Sequence, residues 1–163
     1  MDGEIKYHMH RVEREITDRD KVIDILRRAQ YAVISMCRDS EPYIVTMNCG
    51  YDEQANALYF HAALEGLKLD FIEANPTVCG TVIEDKGYLS GKCAHAYRTA
   101  VFRGEMHTVE ELDDKKHGMQ ILLDQLEDDP DEIKRTQLKT DEAYERVRIL
   151  RLDIDEISGK QGH

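Results

Sequence analysis

Short apolar runs joined by turns of hairpin length constrain this chain more than any other feature. Tyr31–Cys37 is apolar and rich in β-branched residues, Tyr43–Gly50 follows after the polar loop Arg38–Pro42, and Ala57–His61 follows after the turn Asp52–Asn56. Parallel neighbours need a crossover of about a dozen residues or more, usually a helix, so linkers this short tie strands into antiparallel hairpins. Thr77–Glu84 and Thr99–Val109 read as two further strands, separated by the glycine-containing segment Lys86–Tyr97, and Arg146–Ile154 alternates as a final strand. A doubly wound parallel sheet is disfavoured. The expected fold is mainly β with peripheral helices, a small antiparallel barrel forming one domain over 1–163.

The helices are marked by caps and by periodicity. Thr17-Asp18-Arg19-Asp20 reads as a capping box, with Thr17 as cap and Asp20 reaching back. Val22, Ile23, Leu26 and Ala29 then recur at helical spacing and predict an amphipathic helix over 18–29. A second helix is predicted over Leu64–Ala74, where Asn75-Pro76 stops it, with Leu64, Leu67, Phe71 and Ile72 facing the core. A third spans 112–126 on the stripe Met119, Leu122, Leu123 and Leu126, and Asp128-Asp129-Pro130 breaks it. Residues 131–143 read as a short helix or excursion, so a helical insertion occupies about 111–143.

Composition narrows the function classes. Hydrophobic residues make up 41% and charged residues 34%, which suits a folded domain rather than a disordered chain. A net charge of −11 disfavours a nucleic-acid partner, because binding a phosphate backbone needs a basic surface. The longest apolar run, Tyr31–Cys37, falls far short of a membrane span, and Met1–Arg14 has no apolar centre of the kind a signal peptide needs. The expectation is a cytoplasmic protein with no membrane partner. Cys37, Cys49, Cys79 and Cys93 form no C-x-x-C pair, and three of them sit in apolar, strand-like text where a thiol reads as a small buried hydrophobe; no metal site is expected, Cys93-Ala94-His95 lacking a further ligand.

Three clusters could carry chemistry. In Leu58–Pro76 a strand runs into a helix with His61, Gly66 and Lys68 packed into the junction. Free N–H groups at a helix start, a glycine that permits close approach and a lysine charge together make a candidate phosphate seat. Read alone, His61 is as well explained as a structural residue at a strand end. Tyr97-Arg98-Thr99 opens a strand and offers an arginine fork and a hydroxyl, complementary anion ligands for the first cluster. Val45-Thr46-Met47-Asn48 could present backbone groups and an amide to the polar edge of a flat ring, although a half-buried strand explains it equally well. Asn48 stands out, since asparagine is depleted in strands and needs partners if buried. No Gly-x-Ser-x-Gly elbow, Walker loop or His-Glu-x-x-His is present.

Together these clusters resemble the pyridoxamine 5′-phosphate oxidase-like, FMN-binding split-barrel superfamily, and within it the nitroimidazole-resistance (Nim-like) branch. The resemblance runs from Arg14 to Lys160 and rests on Pro42–Asn48, Tyr59–Lys68, Asn75–Cys79 and Tyr97–Val101. It implies a six-stranded antiparallel split β-barrel that forms a homodimer, with FMN in clefts at the interface. It further implies that Val45, Thr46, Met47 and Asn48 contact the isoalloxazine. His61, Ala62, Gly66, Lys68, Leu69, Tyr97, Arg98 and Thr99 would surround the cofactor, with the phosphate near Gly66 and Lys68. The family often has proline at position 46, phenylalanine at 49 and serine at 99, where this chain has Thr46, Cys49 and Thr99. By the same resemblance His61 is a candidate proton donor or substrate contact. The implied activity is an oxidoreductase passing electrons to a small acceptor such as a 5-nitroimidazole-like nitroaromatic, with NAD(P)H or a reduced protein as donor. The alternatives are a non-catalytic flavin-binding or storage module, or a barrel that uses a deazaflavin or haem.

Overall fold

A computed structural model describes residues 9–163, so the first eight positions of the charged segment Met1–Arg14 lie outside the described residues. A two-residue strand β1 (Glu15–Ile16) precedes helix α1 (Arg19–Arg28). The cap of α1 is Asp18 and not Thr17. The Asp18 carboxylate accepts from the Asp20 backbone N–H at 3.0 Å, so Asp20 takes part through its main chain rather than by reaching back. Val22, Ile23, Ile25 and Leu26 form the buried stripe.

Strands β2 (Tyr31–Arg38), β3 (Glu41–Asp52) and β4 (Ala57–Ala62) follow. The β2–β3 connection is tighter than the expected five-residue loop. Asp39 and Ser40 alone make the turn, and Asp39 takes φ 55°, a conformation aspartate tolerates in hairpins. Pro42 therefore lies inside β3, opposite Cys37. It is accommodated because this half of β3 has a ladder partner on one side only, β4 pairing no further back than Cys49.

Helix α2 (Leu67–Ala74) begins later than its apolar pattern suggests. Gly66 caps it at φ 154°, and the Gly66 carbonyl accepts from the N–H groups of Leu69 and Asp70. Phe71 and Ile72 enter the core, whereas Leu64 and Leu67 remain 45% and 46% exposed, which corrects the expectation that all four face inward. Strands β5 (Thr77–Leu89) and β6 (Ala94–Thr108) are longer than their apolar runs. The segment Lys86–Tyr97 is the twisted end of their hairpin, with a bulge between Asp85 and Tyr88 and a turn at 90–93. The helical insertion resolves into α3 (Leu112–Leu126), α4 (Pro130–Gln137) and α5 (Asp141–Glu145). The last strand, β7 (Arg148–Gly162), continues well beyond Ile154.

All strand pairs are antiparallel. The order β7-β4-β3-β2-β5-β6, with β6 returning to β7, closes a six-stranded barrel, and β1 adds a short flap on β7. Ile34, Leu58, Phe60, Phe102, Met106 and Leu150 fill its interior. The closure is uneven. Strands β2 and β5 share only the pairs from Val33↔Thr81 to Ser35↔Cys79, and the β3–β4 ladder ends at Cys49↔Phe60. From Glu41 to Asn48 one edge of β3 carries no strand partner among the described residues.

A second, smaller core lies outside the barrel, where α3 crosses β3, β4 and β7. Two glycines allow this contact. A Cβ at Gly50 would sit 2.9 Å from the Ile121 carbonyl oxygen, and one at Gly118 would sit 2.6 Å from the Tyr59 ring. Polar bonds fix the helix there. Asp52, the buried acid among the described residues, accepts from the Gln54 and Ala55 N–H groups and lies 2.7 Å from His117 Nε2. Gln125 accepts from the Tyr51 N–H and donates to the Leu26 and Ala29 carbonyls. Among the described residues no helix is long and apolar enough to cross a membrane.

Candidate functional site

Strand alternation divides the segment 45–48 into two pairs. Met47 is buried and Val45 packs against the barrel core, so their side chains are committed inward, whereas Thr46 and Asn48 face out. Asn48 is stable in a strand because its Nδ2 donates to the Gln30 carbonyl at 3.0 Å. His61 lies one position beyond Phe60, the partner of Cys49, and so shares the outward face with Asn48. Beside them runs the unpartnered edge of β3, which offers main-chain donors and acceptors to a ligand.

His61 and Lys68 are electrostatically linked. Partial burial of the ring first, and the Lys68 ammonium second, hold the His61 pKa below its ordinary value of 6.5, although much of the side chain reaches solvent. The ring is therefore neutral at neutral pH, with one N–H to give. Gly66 is exposed, and nothing lies within 4 Å of the place a Cβ would occupy, so the start of α2 opens onto free space. The first N–H groups of a helix have no intrahelical acceptor, and here Lys68 adds a full charge beside them. Ala62 is buried and Leu69 packs on the barrel core, so these two shape the junction from behind.

A residue that sequence reasoning missed holds this junction in place. Arg148, opposite Ala62 on β7, donates its Nε to the Leu64 carbonyl at 3.2 Å. It ties the segment between β4 and α2 to the barrel. No local signal marks it, because its partner lies 84 residues away in the chain.

Tyr97, Arg98 and Thr99 lie apart from this junction. The Arg98 fork is already occupied, with Nε 2.6 Å and Nη2 2.8 Å from the Glu84 carboxylate, and Nη2 also 3.0 Å from Asp24. Glu84 foremost raises the Arg98 pKa, and Arg98 foremost lowers that of Asp24. The guanidinium clamps α1 onto the β5–β6 hairpin, so its fork is engaged by two carboxylates of the chain itself. Thr99 and Tyr97 alternate onto the outer face with Val101. Extending the β2–β5 register aligns a row that reads Asn48, Tyr31, Ile83, Thr99 across β3, β2, β5 and β6. At about 4.8 Å per strand, Asn48 and Thr99 stand roughly 14 Å apart at the two edges of this face. The face is mixed, its threonines and Asn48 standing among exposed apolar side chains, with Ile44 65%, Ile83 50% and Val101 42% exposed.

A cavity of about 320 Å³ opens where α3 ceases to cover the barrel. Asn48 and His61 form its polar floor, and residues of α3 and of the α4–α5 region form its walls. Polar bonds hold those walls together: Lys134 Nζ donates to Gln120 Oε1 at 2.8 Å, and Lys116 pairs with Asp141 at 2.7 Å. The thiol of Cys49, beneath this face, is pushed up to about 12 by burial and is chemically inert.

An antiparallel six-stranded barrel whose β2–β5 and β3–β4 ladders are cut short is a split β-barrel. The chain belongs to the pyridoxamine 5′-phosphate oxidase family, which matches residues 18–161. Among solved structures it is similar to a candidate 5-nitroimidazole antibiotic resistance protein from Bacteroides thetaiotaomicron, at 24% identity and TM-score 0.76, over 91% of this chain and 86% of that one. The flavocytochrome Anf3 from Azotobacter vinelandii superposes at TM-score 0.81 with 18% identity, over 97% of this chain and 74% of its own. A FAD and heme binding protein from Mycobacterium smegmatis gives TM-score 0.75 at 19% identity, over 92% and 74%. Likeness at these identities establishes the fold. No curated protein matches the chain.

Proposed function

We propose that the protein is a cytoplasmic, FMN-binding homodimer of the Nim-like branch that reduces a small acceptor such as a nitroaromatic compound. The observation that carries this reading is the open edge of β3, which lies beside Asn48, His61 and the Gly66–Lys68 junction on a face with exposed Ile44, Ile83 and Val101. The residues fit a flavin. The β3 edge and Asn48 suit the polar rim of its ring, and the uncrowded α2 start with Lys68 suits its phosphate. A second copy would add to this fit. A two-fold axis through the β3-β2-β5-β6 face would bury Ile44, Ile83 and Val101, and would carry Thr99 of one copy toward the Lys68 edge of the other.

Bound flavin supplies the redox chemistry, and the chain supplies orientation and electrostatics. The backbone edge fixes the ring, Lys68 neutralises the phosphate, and His61 holds an N–H toward the acceptor. NAD(P)H or a reduced protein would serve as donor. The neighbour described as FAD and heme binding favours a second reading in which FAD occupies the same cleft. Titration with FMN and FAD, followed by visible absorbance and by the mass of the flavin released on denaturation, decides between them. A perturbed flavin spectrum with saturable binding is expected, and absence of any change with both flavins overturns the proposal. Oxidation of NADH that depends on an added nitro compound separates an enzyme from a storage module.

A further inference from the structure

The β5–β6 hairpin outruns the barrel. Strand β7 pairs with β6 no further than Tyr97↔Gly162, and β2 pairs with β5 only between Thr81 and Cys79. Past these points Tyr88↔His95 and Leu89↔Ala94 continue as a two-stranded arm, with no third strand beside it among the described residues. We propose that in the dimer of the proposed function, on which this inference rests, the arm of one copy lies against the C-terminal half of α3 of the other. The contact would brace the helix that walls the cavity beside His61.

The arm is stiff and displays an aromatic ring. A bare two-stranded hairpin is marginally stable in water, and local bonds stiffen this one. Asp85 Oδ1 accepts from the Gly87 N–H at 2.8 Å and lies 2.6 Å from His95 Nε2, and the His95 ring centroid is 6.1 Å from that of Tyr88. Tyr88 is nevertheless 62% exposed, a large ring with few rotamers that costs little entropy to immobilise at an interface. Charge points the same way. From Lys86 to Gly104 the chain has no acid, although its net charge is −11, and Lys86 and Lys92 are both exposed. The end of α3 is the reverse. Asp124, Glu127 and Asp128 are exposed there, and the last turn has no basic residue, although the helix dipole favours cations at that end. The lysines of a second copy would supply them.

The fold sets arm and helix end at one level. A two-fold axis that lies in the β3-β2-β5-β6 face and runs along its strands sets β6 over β3 and β5 over β2, with Thr99 of one copy over Asn48 of the other. Such an axis leaves height along the strands unchanged. The arm ends at Ala94, five positions past Thr99 and about 16 Å beyond that row at about 3.3 Å per residue. Helix α3 crosses β3 at Gly50, about 7 Å beyond the same row, with the Ile121 carbonyl against the glycine. From there its end runs toward the start of β2, since Gln125 bonds Tyr51, Leu26 and Ala29. Arm and helix end therefore share a height and lie over the same two strands.

A carbodiimide, which joins an amine to a touching carboxylate without a spacer, tests the contact on dimers assembled from isotopically labelled and unlabelled copies. Lys86 or Lys92 of one copy should be found joined to Asp124, Glu127 or Asp128 of the other, in peptides of mixed label. Tyr88→Ala should raise the dimer dissociation constant about tenfold, and Tyr88→Phe should restore it. Linkage of these lysines only within their own chain overturns the inference, and so does a Tyr88→Ala dimer as tight as the native one. A chain that sediments as a monomer overturns this contact and the proposed dimer together. Cross-links between copies in a dimer that takes up no flavin would uphold the contact while the proposed function fails.

Discussion

The two clusters that looked complementary in sequence are opposites in structure. Around Asn48, His61 and Lys68 the polar groups are incompletely satisfied by the protein: a strand edge lacks a neighbour, a helix start opens onto space and a lysine faces a neutral histidine. Around Arg98 they are satisfied internally, because one guanidinium serves two carboxylates and pins a helix. A basic residue near a binding motif is thus no ligand until its local partners have been counted. The open region resembles a site kept ready for a ligand, and the closed one a clamp that keeps the barrel in shape. Thr99 belongs to neither, since it lies on the mixed outer face roughly 14 Å across the sheet from Asn48.

The contrast can be broken first at the open region's outer wall. Gly50→Val would drive a side chain into the Ile121 backbone of α3, which a rigid helix cannot yield cheaply. A loss of about 2 kcal/mol or more is expected, read as a melting temperature lower by several degrees. An unchanged melting curve would mean that α3 does not rest on β3.

A paired comparison sharpens the contrast further. Lys68→Ala should leave stability almost unchanged and weaken flavin binding roughly tenfold or more, because a charge-assisted contact is lost. Arg98→Ala should do the reverse. Glu84 would lose its cation and Asp24 would keep only Arg28, so the melting temperature should fall while flavin affinity changes little. Thermal melts and flavin titrations on both variants separate a clamp from a ligand, and a large affinity loss in Arg98→Ala would contradict the assignment.

The smallest effect concerns His61. Its folded pKa lies below 6.5, so the unfolded chain binds the proton more readily. His61 therefore subtracts stability as pH falls through 6.5 and subtracts none well above it. Titration of its imidazole resonance should show a midpoint under 6.5, shifted slightly upward in Lys68→Ala. A midpoint at or above 6.5 would show that neither burial nor Lys68 acts on the ring.

Much of the barrel was legible in the sequence, because hairpin-length linkers and β-branched runs leave few alternatives to antiparallel pairing. Helix α3 was legible to its bounds from the stripe at Met119, Leu122 and Leu123. The strand ends were not, since β5 and β7 continue through Lys86, Asp155 and Lys160, polar residues whose place is fixed by a neighbouring strand rather than by their own hydropathy. The start of α2 was misplaced because Leu64 and Leu67 continue the apolar pattern past Gly66, yet stay on the surface. At the site, the grouping of Asn48, His61, Gly66 and Lys68 follows from two adjacent strands and one helix start, all within a short stretch of chain. The occupation of Arg98 and the anchoring by Arg148 depend on partners 74 and 84 residues distant, and only the folded chain brings these together.

In the proposed dimer each flavin would be held by the Lys68 edge of one copy and the Thr99 edge of the other. Lys68→Glu and Thr99→Glu, each made as a separate homodimer, should lose flavin binding. A mixed dimer containing one copy of each variant restores one complete site, composed of the unchanged Lys68 of one chain and the unchanged Thr99 of the other. Flavin stoichiometry on the purified mixed dimer measures this directly. One flavin per mixed dimer is the predicted result, and no recovery of binding would contradict the account.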